Sequence, residues 1–237
     1  MSPILKSFAM FIHQIRNDSM LVIVCFASVL AGFFFRFAIP QIEILLCRYF
    51  VLAEVLSPYY RLFDLLLIML TPFMFCFASA MLMLEEYDVK LSSYLSVTPV
   101  GKNGYLFSRI LLPSLIACFV SLLLLTIFSL TDWVVPTLIW STLLSGLSAI
   151  IQTMLLFSYS RNKIEGMAIA KLSGLLLLGL PVPFLIHTNL RFLFSLLPSF
   201  WISTYVLTGN IRALFFGSLS SAILISFVYK KFLDKLR

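Results

Sequence analysis

An all-α polytopic membrane protein is the fold class this chain predicts, on three observations. Of its 237 residues, 61% are hydrophobic and only 11% are charged, against roughly half and a quarter in a soluble domain. The mean hydropathy is +1.06. The apolar residues fall into six runs, each close to the roughly 20 residues a helix needs to cross a bilayer. Lipid-exposed backbone must satisfy its own hydrogen bonds, so every run is predicted as a helix. Too few charges remain to solvate a globular surface, which argues against a soluble domain, a disordered chain or a nucleic-acid binder. Six spans leave no room for a sizeable soluble domain. The nearest approach to a phosphate-binding loop, Val100-Gly101-Lys102-Asn103, lacks the upstream Gly and the Ser or Thr after Lys. Work driven by ATP would therefore need a second chain.

The elements follow in order. Residues 4–17 read as an amphipathic helix: Ile4, Leu5, Phe8, Phe11, Ile12 and Ile15 share one face, and Lys6, His13, Gln14, Arg16 and Asn17 lie off it. Such a helix lies in the membrane interface, so residues 1–19 are expected there as an anchor or as a lever touching a partner. The spans are about Met20–Phe35, Leu65–Leu84, Leu106–Leu130, Val134–Tyr159, Ala168–Ile186 and Ala213–Tyr229. The first is short and needs Arg36 to snorkel. It is read as retained, because no small-x-small cleavage site follows it.

Two connections are too apolar to be free in water. Pro40–Arg61 is expected as an interfacial helix ending at Ser57-Pro58. The stretch Asn189–Gly209, within an outer connection over residues 187–212, is expected as a re-entrant or interfacial helical pair interrupted at Pro198. The polar connection over residues 85–105 begins with Glu85, Glu86 and Asp88 and continues through a short helix-capable piece with Leu91, Tyr94 and Leu95 on one side. Thr98-Pro99 breaks that piece, and Lys102-Asn103-Gly104 is expected to turn the chain back.

Charge placement predicts the orientation. With the N-terminus cytoplasmic, twelve of the 17 Lys and Arg residues fall inside and five outside, the bias expected of a multi-pass chain with both termini inside. The net charge of +7 is thus a topology signal. Cys25, Cys47, Cys76 and Cys118 are scattered and read as buried small apolar residues. His13 and His187 fall on opposite sides of the membrane, which argues against a histidine metal site.

The polar connection also carries a resemblance. Acids after the second span (Glu85, Glu86, Asp88), a short helix and then Thr98-Pro99 before the third span are similar to the type-2 ABC permease family. The segment Asn162-Lys163-Ile164-Glu165-Gly166-Met167 and the late Leu197-Pro198-Ser199-Phe200-Trp201 resemble it too. The family's Gly after the acids is replaced by Val89-Lys90-Leu91. The resemblance covers nearly the whole chain as one transmembrane domain, 1–237, and is nearest to small drug-export permeases of Gram-positive bacteria. It implies six spans, an interfacial N-terminal helix, a coupling helix between spans two and three, and short outer helices before span six. It further implies a bacterial cytoplasmic membrane, a second permease subunit and a separate ATPase that binds ATP and Mg, with no cofactor in this chain. On this view Glu85, Glu86 and Asp88 face basic groups of the ATPase, and Tyr94, Leu95 and Pro99 fit an apolar cleft on it. The alternatives for the acids are capping of span two or simple hydration.

Other residues have two readings each. Met69, Phe73, Phe77 and Met81 recur every four residues on span two; soft side chains suit a hydrophobic or amphipathic substrate, and equally suit packing or lipid contact. Thr71-Pro72 permits a kink there. Ser141, Ser145 and Ala149 show the small-xxx-small spacing of close helix packing. Gln152, the one amide in mid-span, reads as a substrate contact or an interhelical hydrogen bond. No acid sits at the centre of a span, which counts against an ion-coupled transporter. An exporter permease is therefore the favoured function. A structural or assembly subunit stands second, and an intramembrane enzyme is disfavoured for want of metal ligands at one depth.

Overall fold

The computed structural model describes residues 3–90, 101–186 and 188–235. Among them every regular element is helical, and six helices are long and apolar enough to cross a membrane. The N-terminal helix α1 (Pro3–Asn17) is followed by α2 (Ser19–Phe50) and α3 (Tyr60–Asp88). Next, α4 runs from Gly101–Leu106 through a π-helical turn at Phe107–Leu111 into Leu112–Phe128. Then come α5 (Val135–Tyr159), α6 (Lys163–Ser173), α7 (Pro198–Thr208) and α8 (Ile211–Lys235). One end of the bundle carries α1, the end of α3 and the last turn of α8; it is termed the terminal face, and the opposite end the far face.

The centre of the bundle is α3, packed against α2, α4, α5 and α6. Its residues are buried along its length because helices surround it, whereas α2 and α8 present long apolar faces outward, as lipid-facing helices do. Pro72 has no N–H for the Ile68 carbonyl four residues back; Ser121 Oγ on α4 donates to that oxygen at 3.1 Å. Pro113 likewise leaves the Arg109 carbonyl without its usual donor, and Ser79 Oγ on α3 donates to it. Each proline thus becomes a place where a hydroxyl ties α3 to α4.

Three local expectations are corrected. The helix expected from Pro40 is continuous with the first span: a π-helical turn at Phe34–Ala38 accommodates Pro40, and the helix ends where Val51 takes a left-handed φ of 56°. Ser57-Pro58 opens the 3-10 turn that starts α3. Residues 102–104 continue a helix instead of turning; left-handed φ values at Lys90 and Gly101 bracket the connection on either side.

The fifth span is broken. Its α-helix stops at Ser173, tightens to a 3-10 turn at Gly174–Leu177 and resumes for one turn at Val182–Leu185. Pro181 and Pro183 supply no donors there. The carbonyls of Leu176 and Leu180 are taken by Ser199 Oγ and Ser203 Oγ of α7, at 2.5 and 2.6 Å. That docking is tight: a Cβ on Gly179 would stand 2.6 Å from the backbone nitrogen of Phe200. The outer connection does form a helical pair, Asn189–Phe194 and α7, with the second helix starting at Pro198.

Candidate functional site: the charged terminal face

Two adjacent glutamates at the end of α3 face different surroundings. Successive residues on a helix are about 100° apart, so Glu85 faces solvent while Glu86 faces the bundle. Glu86 is 1% exposed and its partner Arg109 is 0% exposed. Arg109 Nε lies 3.1 Å from both carboxylate oxygens and Nη2 lies 2.6 Å from Oε1, the forked geometry a guanidinium allows. Tyr105 donates its hydroxyl to Glu86 Oε2 at 3.0 Å. Arg109 Nη1 reaches across to the Ser7 carbonyl at 2.9 Å. The rings of Phe11 and Tyr105 lie against the guanidinium at 5.0 and 5.6 Å. A buried charge is tolerated only when paired and hydrogen-bonded, and this one is paired, forked and flanked by aromatic rings.

The unit therefore joins three elements: α1 through Ser7 and Phe11, the end of α3 through Glu86, and the start of α4 through Tyr105 and Arg109. Those last two elements are the two roots of the polar connection. Arg109 sits in the π-helical turn, a distortion that recurs at functional sites.

Glu85 belongs to a second, shallower network. Lys163 at the start of α6 lies 2.6 Å from Asp18 and 3.1 Å from Glu85. Asp18 also caps α2, accepting from the amides of Met20 at 2.9 Å and Leu21 at 3.3 Å. The hydrogen bond from Lys163 holds the Asp18 carboxyl below the usual aspartate range, against the opposing effect of partial burial. Asn162 caps α6 by accepting from Glu165 N at 2.9 Å, and the Glu165 carboxylate accepts from the amide of Arg161, the residue before the cap, at 2.7 Å. A third tie closes α8 on α5: Lys235 Nζ donates to the Phe157 carbonyl at 2.6 Å and to the Ser160 carbonyl, over the rings of Phe157 and Tyr87. Between the α1–α2 joint and the end of α3 lies a cavity of about 550 Å³, lined by Gln14, Asp18, Glu85 and Glu86 among others.

Glu85 and Asp88 are exposed. Glu86 is corrected: it is an internal counter-ion, because its position on α3 turns it toward Arg109. Tyr94, Leu95 and Pro99 lie outside the described residues. Met69, Phe73 and Met81 are buried in the packed core, with Phe77 at its edge. None of these four lines the cavity beside Glu85 and Glu86 or the two between α5 and α8. These side chains pack against their neighbours inside the described bundle. Gln152 is 5% exposed, and its Oε1 has no partner among the described residues. Ser141, Ser145 and Ala149 are buried, as close packing requires.

Sequence reading alone passed over Arg109, Tyr105, Ser7, Asp18 and Lys163 as parts of this site. A signal existed for one of them. Arg109 falls inside an apolar run, and an ionisable group there requires a partner.

On the far face, Asp64 is 1% exposed. It accepts from the amides of Leu130 and Thr131, the Thr131 hydroxyl and Trp133 Nε1, at 2.6–3.0 Å. Glu43 similarly accepts from the amides of Val55 and Leu56 and from Ser57 Oγ. No group of three or more His, Cys, Asp or Glu residues suited to a metal ion occurs among the described residues.

Comparison with known proteins agrees with this architecture. Residues 11–233 match the family model described as "Fluoroquinolones export permease protein Rv2686c-like". Two curated relatives, Fluoroquinolones export permease proteins MT2760 and Rv2686c from two strains of Mycobacterium tuberculosis, are each 32% identical over 127 residues. The alignment covers 52% of this chain and 50% of each relative, so the chain spans about half the length of the curated relatives it matches. No solved structure matches. With a family match over nearly all of its length and six candidate spans, this multi-pass membrane chain belongs to the Rv2686c-like fluoroquinolones export permease family.

Proposed function

We propose that the chain is the membrane subunit of an ATP-driven exporter, with a separate ATPase docking on the terminal face. The observation that carries this reading is the Glu86–Arg109 unit, which grips both roots of the polar connection and the N-terminal helix together. A push on residues 85–105 cannot be absorbed by one helix alone. It moves α1, α3 and α4 as a block, and α3 touches most of the bundle. Glu85 and Asp88, exposed on the same rim, supply acidic contacts for basic groups of an ATPase. The cargo is a hydrophobic or amphipathic small molecule, for which the names of the relatives suggest fluoroquinolones. The complex contains two permease subunits, sits in the cytoplasmic membrane and has both termini on the cytoplasmic side.

The test is co-expression with a neighbouring ATPase gene, reconstitution in liposomes and measurement of ATP-dependent fluoroquinolone uptake into inverted vesicles. Reversing Glu85 and Asp88 to Lys is expected to abolish cargo-stimulated hydrolysis while leaving insertion intact and changing stability by no more than the roughly 0–1 kcal/mol of the exposed Lys163–Glu85 pair. A reversed protein that still co-purifies with the ATPase and transports at the normal rate overturns the docking assignment. Failure of any ATPase to stimulate transport overturns the exporter reading itself.

A further inference from the structure

The seam between α5 and α8 is closed in its middle and open at both ends. Along α5 the seam is lined by Trp140, Leu143, Leu147, Ile150 and Met154, and along α8 by Ile211, Leu214, Ser218, Ile225 and Tyr229. These positions recur at steps of three, four and seven, so each set is one stripe of its helix. At mid-height α8 carries the small residues Gly217, Ser220 and Ser221, all buried. A Cβ on Gly217 would meet Trp201 of α7 at 3.1 Å and Leu144 of α5 at 3.4 Å, so α8 packs closely on both helices there. Toward the far face they part around an apolar cavity of about 340 Å³. Toward the terminal face they part around another of about 330 Å³, whose third wall is the π-helical turn of α4 with Phe107, Ile110 and Leu111.

Toward each end of α8 a lining residue of one cavity is followed in the chain by a cation. Arg212 follows Ile211, and Lys230 follows Tyr229. Both are exposed, and neither is ion-paired with another described residue. Trp140 and Tyr229 are aromatics of the kind that sit at headgroup depth. An apolar slot capped by an amphipathic ring and a positive charge matches an acyl chain below an anionic headgroup. A packed helix from another chain would need one continuous groove, and the two cavities share no lining residue.

We propose that the α5/α8 seam holds two anionic phospholipids, one in each leaflet, each with one acyl chain in a cavity and its headgroup at Arg212 or Lys230. The shared wall makes the second lipid a neighbour of the buried ion pair, since Phe107, Arg109 and Ile110 belong to one turn. The assignment does not depend on the exporter reading.

Native mass spectrometry of the full chain released from mild detergent tests it, with phosphatidylglycerol and phosphatidylcholine offered in turn. The expected result is two phosphatidylglycerol molecules retained per chain, and at least tenfold weaker retention of phosphatidylcholine. Arg212→Glu and Lys230→Glu should each remove one lipid and the double variant both. Ile225→Trp, which fills the cavity without changing charge, should remove the lipid at Lys230. All three positions lie on α8, and thermal unfolding checks that each variant folds. Equal retention of the two lipids, or variants that keep both, overturns the proposal. So does efficient disulfide cross-linking between copies through cysteines placed at Leu143 and Phe215, which would show a second chain on the seam.

Discussion

The terminal face and the far face both bury carboxylates, but they satisfy them differently. On the terminal face Glu86 is met by a guanidinium from another helix and Arg109 in turn by a third. On the far face Asp64 and Glu43 are met by backbone amides, hydroxyls and an indole of the adjoining loops. An amide-bound carboxylate organises the few residues whose N–H groups it collects. A guanidinium-bound one organises the helices that carry the two charges, because neither can be moved without exposing a buried ion. The far-face carboxylates thus hold loops in shape, and the terminal-face pair ties three elements together.

The largest expected effect tests that contrast directly. Arg109→Met leaves Glu86 buried without a counter-ion and should cost roughly 3–5 kcal/mol, read as a fall in the thermal unfolding midpoint in detergent. Hydrogen exchange should quicken in α1 as well as at the starts of α4 and the end of α3. Adding Glu86→Leu should recover much of the loss, since a matched apolar pair is often as stable as a buried ion pair. If the double variant is no better than the single, the lock is not a charge pair.

Asp64→Ala should come next, at about 1–3 kcal/mol for buried donors left unpaired. Its exchange signature should stay local, confined to Leu130, Thr131 and their neighbours. Spread of that signature to α1 would erase the distinction between the faces. Gly179→Val, in the far half of the bundle, should cost about 1–3 kcal/mol through overpacking against Phe200, and should loosen α7 without disturbing Arg109.

The smallest effect concerns the partly exposed pair of Asp18 and Lys163. Exposed pairs are worth roughly 0–1 kcal/mol and weaken with salt. The folded Asp18 carboxyl lies below its unfolded value, so its contribution is complete above the ordinary aspartate range. It fades as pH falls through the lowered folded value. Lys163→Ala should flatten the acid limb of a stability-against-pH curve, and added salt should do part of the same in the parent protein.

The separate roles of the two faces also mark what was legible in advance. The six candidate spans, the N-terminal helix and the helical pair that restarts at Pro198 are written in runs of apolar residues and in prolines, both local signals. The continuity of α2 past Pro40 was not legible, because a proline signals a missing donor and not how the helix absorbs it. Nor was the break in the fifth span, which depends on Ser199 and Ser203 arriving from α7 to take its carbonyls. At the site, Glu85, Glu86 and Asp88 were visible as a cluster of acids. Their division into one counter-ion and two surface charges was not, since it depends on where Arg109 and Lys163 stand around α3.

Composition and periodicity by themselves determined that this chain is a helical membrane bundle with its polar chemistry concentrated at one end. Those properties follow from the transfer of apolar residues into lipid and from the need of each span to satisfy its own backbone. Only the tertiary structure decided which charges are working partners and which are solvated. A carboxylate's role is set by the nearest cation or amide in space, and Arg109 lies 23 residues from Glu86 along the chain while touching it across the bundle.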